Sequence, residues 1–471
     1  MATQTSSLRL VSATPPRARG LIEPLGLWLR EHQRAIRRLQ WGVIAIYAAL
    51  VIVPALAPAP TRGSHIWSDV VLFAQFAFWG VWWPFVLVSM VLMGRTWCGV
   101  FCPEGALTEM VSARGLGRST PRWMKWKGWP FTAFVCTTIY GQMVSVYQYP
   151  LPVVIILGGS TLGAMAVGYV YGRNKRVWCR YLCPVNGVFG LLAKLAPVHY
   201  AVDRRVWDNW PRHARTPALD CAPLVPVRNM QGGAACHMCG RCAGFKDAVA
   251  LQARSSSREV VEVAGQEAKP WETALIVVGL LGVAPGAFLW SSSPWLIGAK
   301  QRLAEWLIGH DMTWWLEPHL PWWILTNYPA NNDALSPLDG GLLVAYIAAT
   351  AIGLGAVIYG CLALGARALG RFDAARLHHL AQSLIPIAGC GVFLGLSATT
   401  LSQLRADGLS LAFVAPLRIA LLAGASAWSV SLAWGVSGRY ARALPRAMAT
   451  AAVGGAVAVS AFNWVLMFWI W

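Results

Sequence analysis

Arg95-Thr96-Trp97-Cys98-Gly99-Val100-Phe101-Cys102-Pro103-Glu104-Gly105 follows directly on an apolar run, Asp69–Met93. The pattern returns 81 residues later as Arg176-Val177-Trp178-Cys179-Arg180-Tyr181-Leu182-Cys183-Pro184-Val185-Asn186-Gly187, after a second apolar run, Leu151–Tyr171. The shared element is R-x-W-C-x-x-x-C-P. About 20 apolar residues span the hydrocarbon core as a helix, and a helix crosses readily because it satisfies its own backbone where lipid offers no hydrogen bonds. Two spans in one orientation, each ending in a cysteine pair at the membrane surface, are what a parallel duplication leaves. The copies can then face each other across a pseudo-twofold axis along the membrane normal.

The rest of the chain fits this picture. Of 471 residues, 56% are apolar and 13% charged, and the apolar ones come in long runs rather than amphipathic stripes. Nine runs read as spans, near Leu39–Ala57, Asp69–Met93, Trp129–Tyr147, Leu151–Tyr171, Thr273–Trp290, Leu338–Leu362, His379–Leu401, Leu409–Trp434 and Met448–Trp469. The fifth is the shortest and carries Pro285 and Gly286. The expected fold is an all-α integral membrane protein of about nine transmembrane helices, with a small cytoplasmic ferredoxin-like iron–sulfur segment.

Net charge is +19, but its distribution argues against a nucleic-acid partner. With the N-terminus inside and the spans alternating, 34 of the 39 Lys and Arg fall on inner segments. Only Arg62, Lys300, Arg302 and Arg405 fall outside, and Arg418 lies within a span. This is the positive-inside pattern of a bacterial cytoplasmic (inner) membrane protein, with the N-terminus cytoplasmic and Trp471 periplasmic. The bilayer is the partner that the charge addresses. No cleavable signal peptide is apparent ahead of the first span.

The expected organisation is a cytoplasmic tail over 1–38, a four-helix membrane region over 39–198, a hydrophilic ferredoxin-like segment and linker over 199–270, and a five-helix region over 271–471. The last contains a Trp-rich outer loop at 291–337, read as an interfacial helix or as a docking patch for a periplasmic acceptor.

Eight of the eleven cysteines lie on inner segments: Cys98, Cys102, Cys179, Cys183, Cys221, Cys236, Cys239 and Cys242. In a reducing compartment, grouped cysteines point to metal or redox chemistry, and thiolates suit iron–sulfur clusters, zinc and copper(I). Cys236-His237-Met238-Cys239-Gly240-Arg241-Cys242 is C-x2-C-x2-C, the opening of the bacterial ferredoxin run. Its fourth ligand is missing downstream, and Cys221 is the substitute at hand. The alternatives are a three-thiolate cluster or a zinc site made by the same four residues. Cys98/Cys102 and Cys179/Cys183 are each C-x3-C-P, the closing half of that run. They make one four-thiolate site, two sites completed elsewhere, or a pair of structural turns. Cys136, Cys361 and Cys390 sit singly in apolar spans and read as packing residues.

Two membrane-adjacent R-x-W-C-x3-C-P motifs followed by a soluble ferredoxin-like segment resemble the NapH/NosR-type membrane polyferredoxins, over about residues 67–255. The resemblance implies one or two 4Fe–4S clusters and electron supply to periplasmic reduction. The run M-C-G-R-C-x-G-F-K followed by Asp247-Ala248-Val249-Ala250-Leu251 is similar to the membrane ferredoxin encoded with periplasmic iron-uptake permeases. That branch implies a periplasmic redox partner, a cupredoxin or iron-binding protein, and an iron permease. The chain shows neither the complete C-x2-C-x2-C-x3-C-P runs of NapH nor the outer flavin domain of NosR, which separates it from NapH and NosR themselves.

His378 and His379 lie at the inner end of a span and read as headgroup-level residues rather than haem ligands. The functional expectation is a one-electron relay from a cytoplasmic donor or quinol toward a periplasmic acceptor, with no substrate chemistry of its own. The rival is a permease handling zinc or copper, which the scarcity of carboxylates within the spans disfavours.

Overall fold

The computed structural model describes residues 20–61, 63–211 and 218–471. Residues 1–19 of the expected tail, and Arg62, lie outside the described residues. Among the described residues nine principal helices stand out: α1 Gln33–Leu56, α2 Val70–Met93, α3 Trp129–Met143, α4 Pro150–Tyr171, α5 Pro270–Ser292, α6 Pro337–Ala368, α7 Ala374–Ala406, α8 Val414–Ser437 and α9 Ala443–Ile470. Among the described residues, all but α3 are long and apolar enough to cross a membrane, so this is a multi-pass membrane protein.

The expected span Trp129–Tyr147 differs. Its helix has 15 residues, a rise of about 22 Å against a ~30 Å hydrocarbon core. Ser145 takes a left-handed φ of 50°, turning the chain while Val144, Val146 and Tyr147 prolong the apolar run. The helix nevertheless connects the two rims. Trp126, just before it, packs on Trp271 at the start of α5, and Met143 at its end accepts from Thr326 N at 2.8 Å.

Contacts between loops sort into the same two rims. On one, Ile66 N donates to Asp407 at 2.9 Å, Gln403 to Gln75 at 2.9 Å and the Tyr149 hydroxyl to Asp333 at 2.7 Å. On the other, Arg95 donates to Asn186 at 2.8 Å and Lys194 to Gln382 at 2.6 Å. The traverses therefore alternate, and all eight grouped cysteines lie toward the second rim.

The shortest expected span became the most enclosed helix, with 78% of the apolar window of α5 buried. Glycine explains this. A Cβ at Gly282 would stand 2.8 Å from the Cα of Ala351, and one at Gly286 3.1 Å from that of Ile347. The bare backbone lets α5 and α6 approach closely. Pro285 follows a stretch of wide π-type turns, Leu275–Val283, which frees the bond its nitrogen cannot make.

Beyond the membrane helices, β1 (Val198–Val202) pairs antiparallel with β2 (Val249–Ala253), Val198 opposite Ala253. They close the base of the loop that carries Cys221 through Cys242. A short helix, Glu23–Glu31, packs over this unit, so residues 20–38 are not a free tail. The expected linker is packed too: Val260 is buried, and the Glu259 carboxylate pairs with Arg254 while accepting from Gly233 N at 2.7 Å.

Candidate functional site

In the first motif copy the chain leaves α2 at Gly94 (φ +60°) and forms a wide turn, Trp97–Phe101, that buries Cys98. Cys102 then serves as N-cap of the helix Pro103–Ser112, its sulfur accepting from Gly105 N at 3.3 Å. Pro103 at the first helical position loses nothing, since that N–H would be unpaired anyway. In the second copy Cys179 lies in the helix Val177–Tyr181, and the following helix starts at Asn186. That later start accounts for the shifted glycine of the repeat.

The copies interlock. The Pro103–Ser112 helix of the first packs on α4 of the second, while Asn186–Ala193 of the second packs on α2. Thr108 donates to the Ala164 carbonyl at 2.6 Å. The two motif arginines, both buried, are exchanged as well. Arg176 donates to the carbonyl of Cys98 at 2.5 Å, and Arg95 to the Asn186 side chain and to the Ala234 carbonyl at 3.1 Å. This brings Cys98, Cys102, Cys179 and Cys183 to the wall of one cavity of about 690 Å³. Beyond the thiols it is lined by aromatic residues, among them Trp79, Trp82, Phe134 and Tyr147.

The C-x2-C-x2-C segment curls through left-handed residues Met238 (φ 54°) and Gly240 (φ 80°). Gly240 is required twice, because a Cβ there would also stand 2.5 Å from Leu29. The short N-terminal helix and the start of α1 hold the curl from outside. Arg30 donates to the Ala243 carbonyl at 2.7 Å and Gln33 to the Cys239 carbonyl at 2.9 Å. Cys221 is held between Lys175, which reaches its carbonyl at 3.3 Å, and the bond from Arg176 N to Ala222 O at 2.8 Å. Cys221, Cys236, Cys239 and Cys242 line a second, smaller pocket with Tyr200. The structure thus brings together both expected sets of four. They are adjacent, since a Cβ on Gly99 would lie 2.0 Å from the His237 carbonyl and 2.9 Å from Cys239 N.

Charge ties the sets together. Glu109 pairs with Arg176 at 2.7 Å and with Arg241, which also meets Asp220 at 3.4 Å. Burial opposes ionisation of Glu109, but the two guanidinium groups outweigh it and hold its carboxyl below the usual range. Burial pushes the Cys179 and Cys236 thiols up to about 12, and raises Cys102, Cys183, Cys221 and Cys242 as well. Such thiols keep their protons until a metal supplies the opposing charge.

The donor set fits an anionic iron–sulfur cluster. Around the larger cavity Trp83 Nε1, Arg95 Nε and His237 Nδ1 are buried without a hydrogen-bond partner among the described residues, as is the Tyr200 hydroxyl at the smaller pocket. Cluster sulfur would supply the acceptors that the N–H and O–H donors among them lack. Among the described residues no three His, Cys, Asp or Glu side chains converge as on a single metal ion.

The remaining cysteines and histidines behave otherwise. Cys361 and Cys390 pack on the apolar core, and Cys136 lines the larger cavity. His379 is engaged at both nitrogens, by Tyr440 at 2.7 Å and Val260 O at 2.8 Å, and His378 meets Thr273 at 2.9 Å. Sequence reasoning missed the exchanged arginines, His237 and half-buried Glu104, whose carboxyl desolvation pushes up. The arginine stands at the same position in both repeats, and that was the available signal.

A 4Fe–4S binding domain family (Fer4_5) matches residues 75–123 and 154–201, so each match contains one motif copy. Both motif copies thus lie in a 4Fe–4S binding domain carried by a multi-pass membrane protein. The chain spans less than two thirds of the length of the three curated relatives that follow. It is 23% identical over 242 residues to YccM of Escherichia coli (strain K12), whose name assigns it to electron transport, covering 44% of this chain and 65% of YccM. It is 25% identical over 220 residues to the regulatory protein NosR of Pseudomonas aeruginosa, covering 43% of this chain and 29% of NosR. It is 27% identical over 139 residues to the methylamine utilization ferredoxin-type protein MauN of Methylorubrum extorquens, covering 26% of this chain and 46% of MauN. No solved structure matches the chain.

Proposed function

We propose that the protein is a two-cluster relay at the cytoplasmic face of the inner membrane, one cluster held by Cys221, Cys236, Cys239 and Cys242 and the other by Cys98, Cys102, Cys179 and Cys183. The observation that carries this reading is that each set of four thiols lines its own pocket, with the two pockets in contact at Gly99 and His237. The cluster supplies one-electron storage. The chain holds it, withholds water and aims donors at its sulfur. The Lys and Arg distribution supports the cytoplasmic placement.

Electrons enter from a cytoplasmic donor or quinol and leave toward a periplasmic redox protein. The aromatic cavity supports a quinol, because its walls suit a lipid-soluble carrier and it runs from the thiols to Tyr140, Gly141 and Tyr147 near the opposite rim. The iron-uptake setting rests on the resemblance of the Cys239–Leu251 region alone. Iron and sulfide analysis of the anaerobically purified protein tests the core of the reading. Iron equal to two 4Fe–4S clusters is expected. Zinc in place of iron overturns it in favour of a thiolate metal-handling protein.

A further inference from the structure

His237 is 2% exposed, and its Nδ1 is buried with no hydrogen-bond partner among the described residues. Among the described residues it alone lines both the cavity of Cys98, Cys102, Cys179 and Cys183 and the pocket of Cys221, Cys236, Cys239 and Cys242. Its position is fixed from several sides. Its carbonyl presses on the space that a side chain at residue 99 would fill. Met238 turns the chain sharply after it, and Arg95 holds the Ala234 carbonyl just before it. A buried ring nitrogen without a partner is costly, and in a well-packed protein it marks a partner yet to be supplied.

We propose that His237 is a positioning residue for the relay, its imidazole donating an N–H hydrogen bond to a sulfur of the cluster held by Cys98, Cys102, Cys179 and Cys183. Reduction adds one electron to that cluster, and a donor aimed at its sulfur stabilises the extra charge. Hydrogen bonds to sulfur and burial set cluster potentials, and such supporting groups tune metal sites generally. His237 thereby raises the potential of the cluster nearer the lipid and favours electron flow toward it from the neighbouring site. The inference rests on the two-site reading above.

The test compares wild type, His237→Leu and His237→Asn, each purified anaerobically and titrated under EPR. Iron and sulfide are expected unchanged in all three. In His237→Leu one signal titrates to lower potential, with the reduced-to-oxidised ratio at fixed poise falling about tenfold, or about 59 mV for one electron. That signal is the one abolished by Cys98→Ser, and His237→Asn, which keeps an N–H donor, restores most of the shift. Unchanged potentials in a fully loaded His237→Leu overturn the proposal. So does loss of iron in both variants, or movement of the signal abolished by Cys239→Ser instead. Failure of the two-site reading shows separately, as iron for one cluster in the wild type.

Discussion

The Arg176 guanidinium donates to the main-chain oxygen of Cys98 at 2.5 Å, so the arginine of the second motif holds the cysteine turn of the first. The same side chain meets Glu109 at 2.7 Å, on the helix that Cys102 caps. One buried cation therefore fixes two of the expected ligands of the other repeat. Removing it takes that donor from the Cys98 carbonyl and leaves the Glu109 carboxylate with Arg241 alone.

Arg176→Ala is expected to destabilise the detergent-solubilised protein by about 1.5–3 kcal/mol, the usual worth of hydrogen bonds to a charged group, since Arg241 still faces Glu109. Thermal unfolding and iron content measure it. Arg176→Lys keeps the charge but loses the fork that reaches Cys98 and Glu109 together, so an intermediate loss is expected.

Gly99→Ala places a methyl 2.0 Å from the His237 carbonyl and close to the Cys239 backbone. Overpacking of this kind costs about 1–3 kcal/mol, and here it pushes the two cysteine loops apart. Iron retention should fall relative to Gly42→Ala, where a Cβ meets nothing within 4 Å. Equal retention in the two variants would count against the contact.

Cys98→Ser and Cys239→Ser are expected to remove different EPR signals, each variant keeping about half of the wild-type iron and sulfide if each pocket holds one cluster. A single signal lost in both would mean that the eight cysteines serve one cofactor.

His199, on β1, supplies a pH test. Burial, reinforced by Arg254 and Arg258, depresses its pKa to about 3, against about 6.5 for a free imidazole. The folded state therefore holds the ring neutral where the unfolded chain would protonate it. Its contribution is complete above pH 6.5 and is lost as pH falls toward 3, by up to about 1.4 kcal/mol per unit. Melting curves between pH 7 and pH 5 should show less acid sensitivity in His199→Gln than in wild type.

Much of the site was legible because its signals are local. C-x2-C-x2-C and the doubled R-x-W-C-x3-C-P state their chemistry in a few adjacent residues, and apolar runs mark the membrane helices. What escaped depends on distant partners. Nothing near Trp129 announces that Ser145 will turn the chain, since Val144 to Tyr147 stay apolar. Pro285 and Gly286 resemble breaks until Ile347 and Ala351 come to lie against α5. The residues from 255 to 270 read as a linker because the pairing of Glu259 with Arg254, and its hold on Gly233, cannot be inferred from polarity. The role of Gly240 also needed Leu29, far back in the chain.

That last contact bears on biogenesis. The helix Glu23–Glu31 emerges from the ribosome long before the loop around Gly240 that it covers, and α1 to α4 lie in the interval. On the proposed two-cluster reading, the cysteines of that loop are thus synthesised after the helix that covers them, and that helix would have to stand aside until iron has been delivered. Loading is then the step that lets the earliest described helix settle, and a protein denied iron should leave that helix open to proteases.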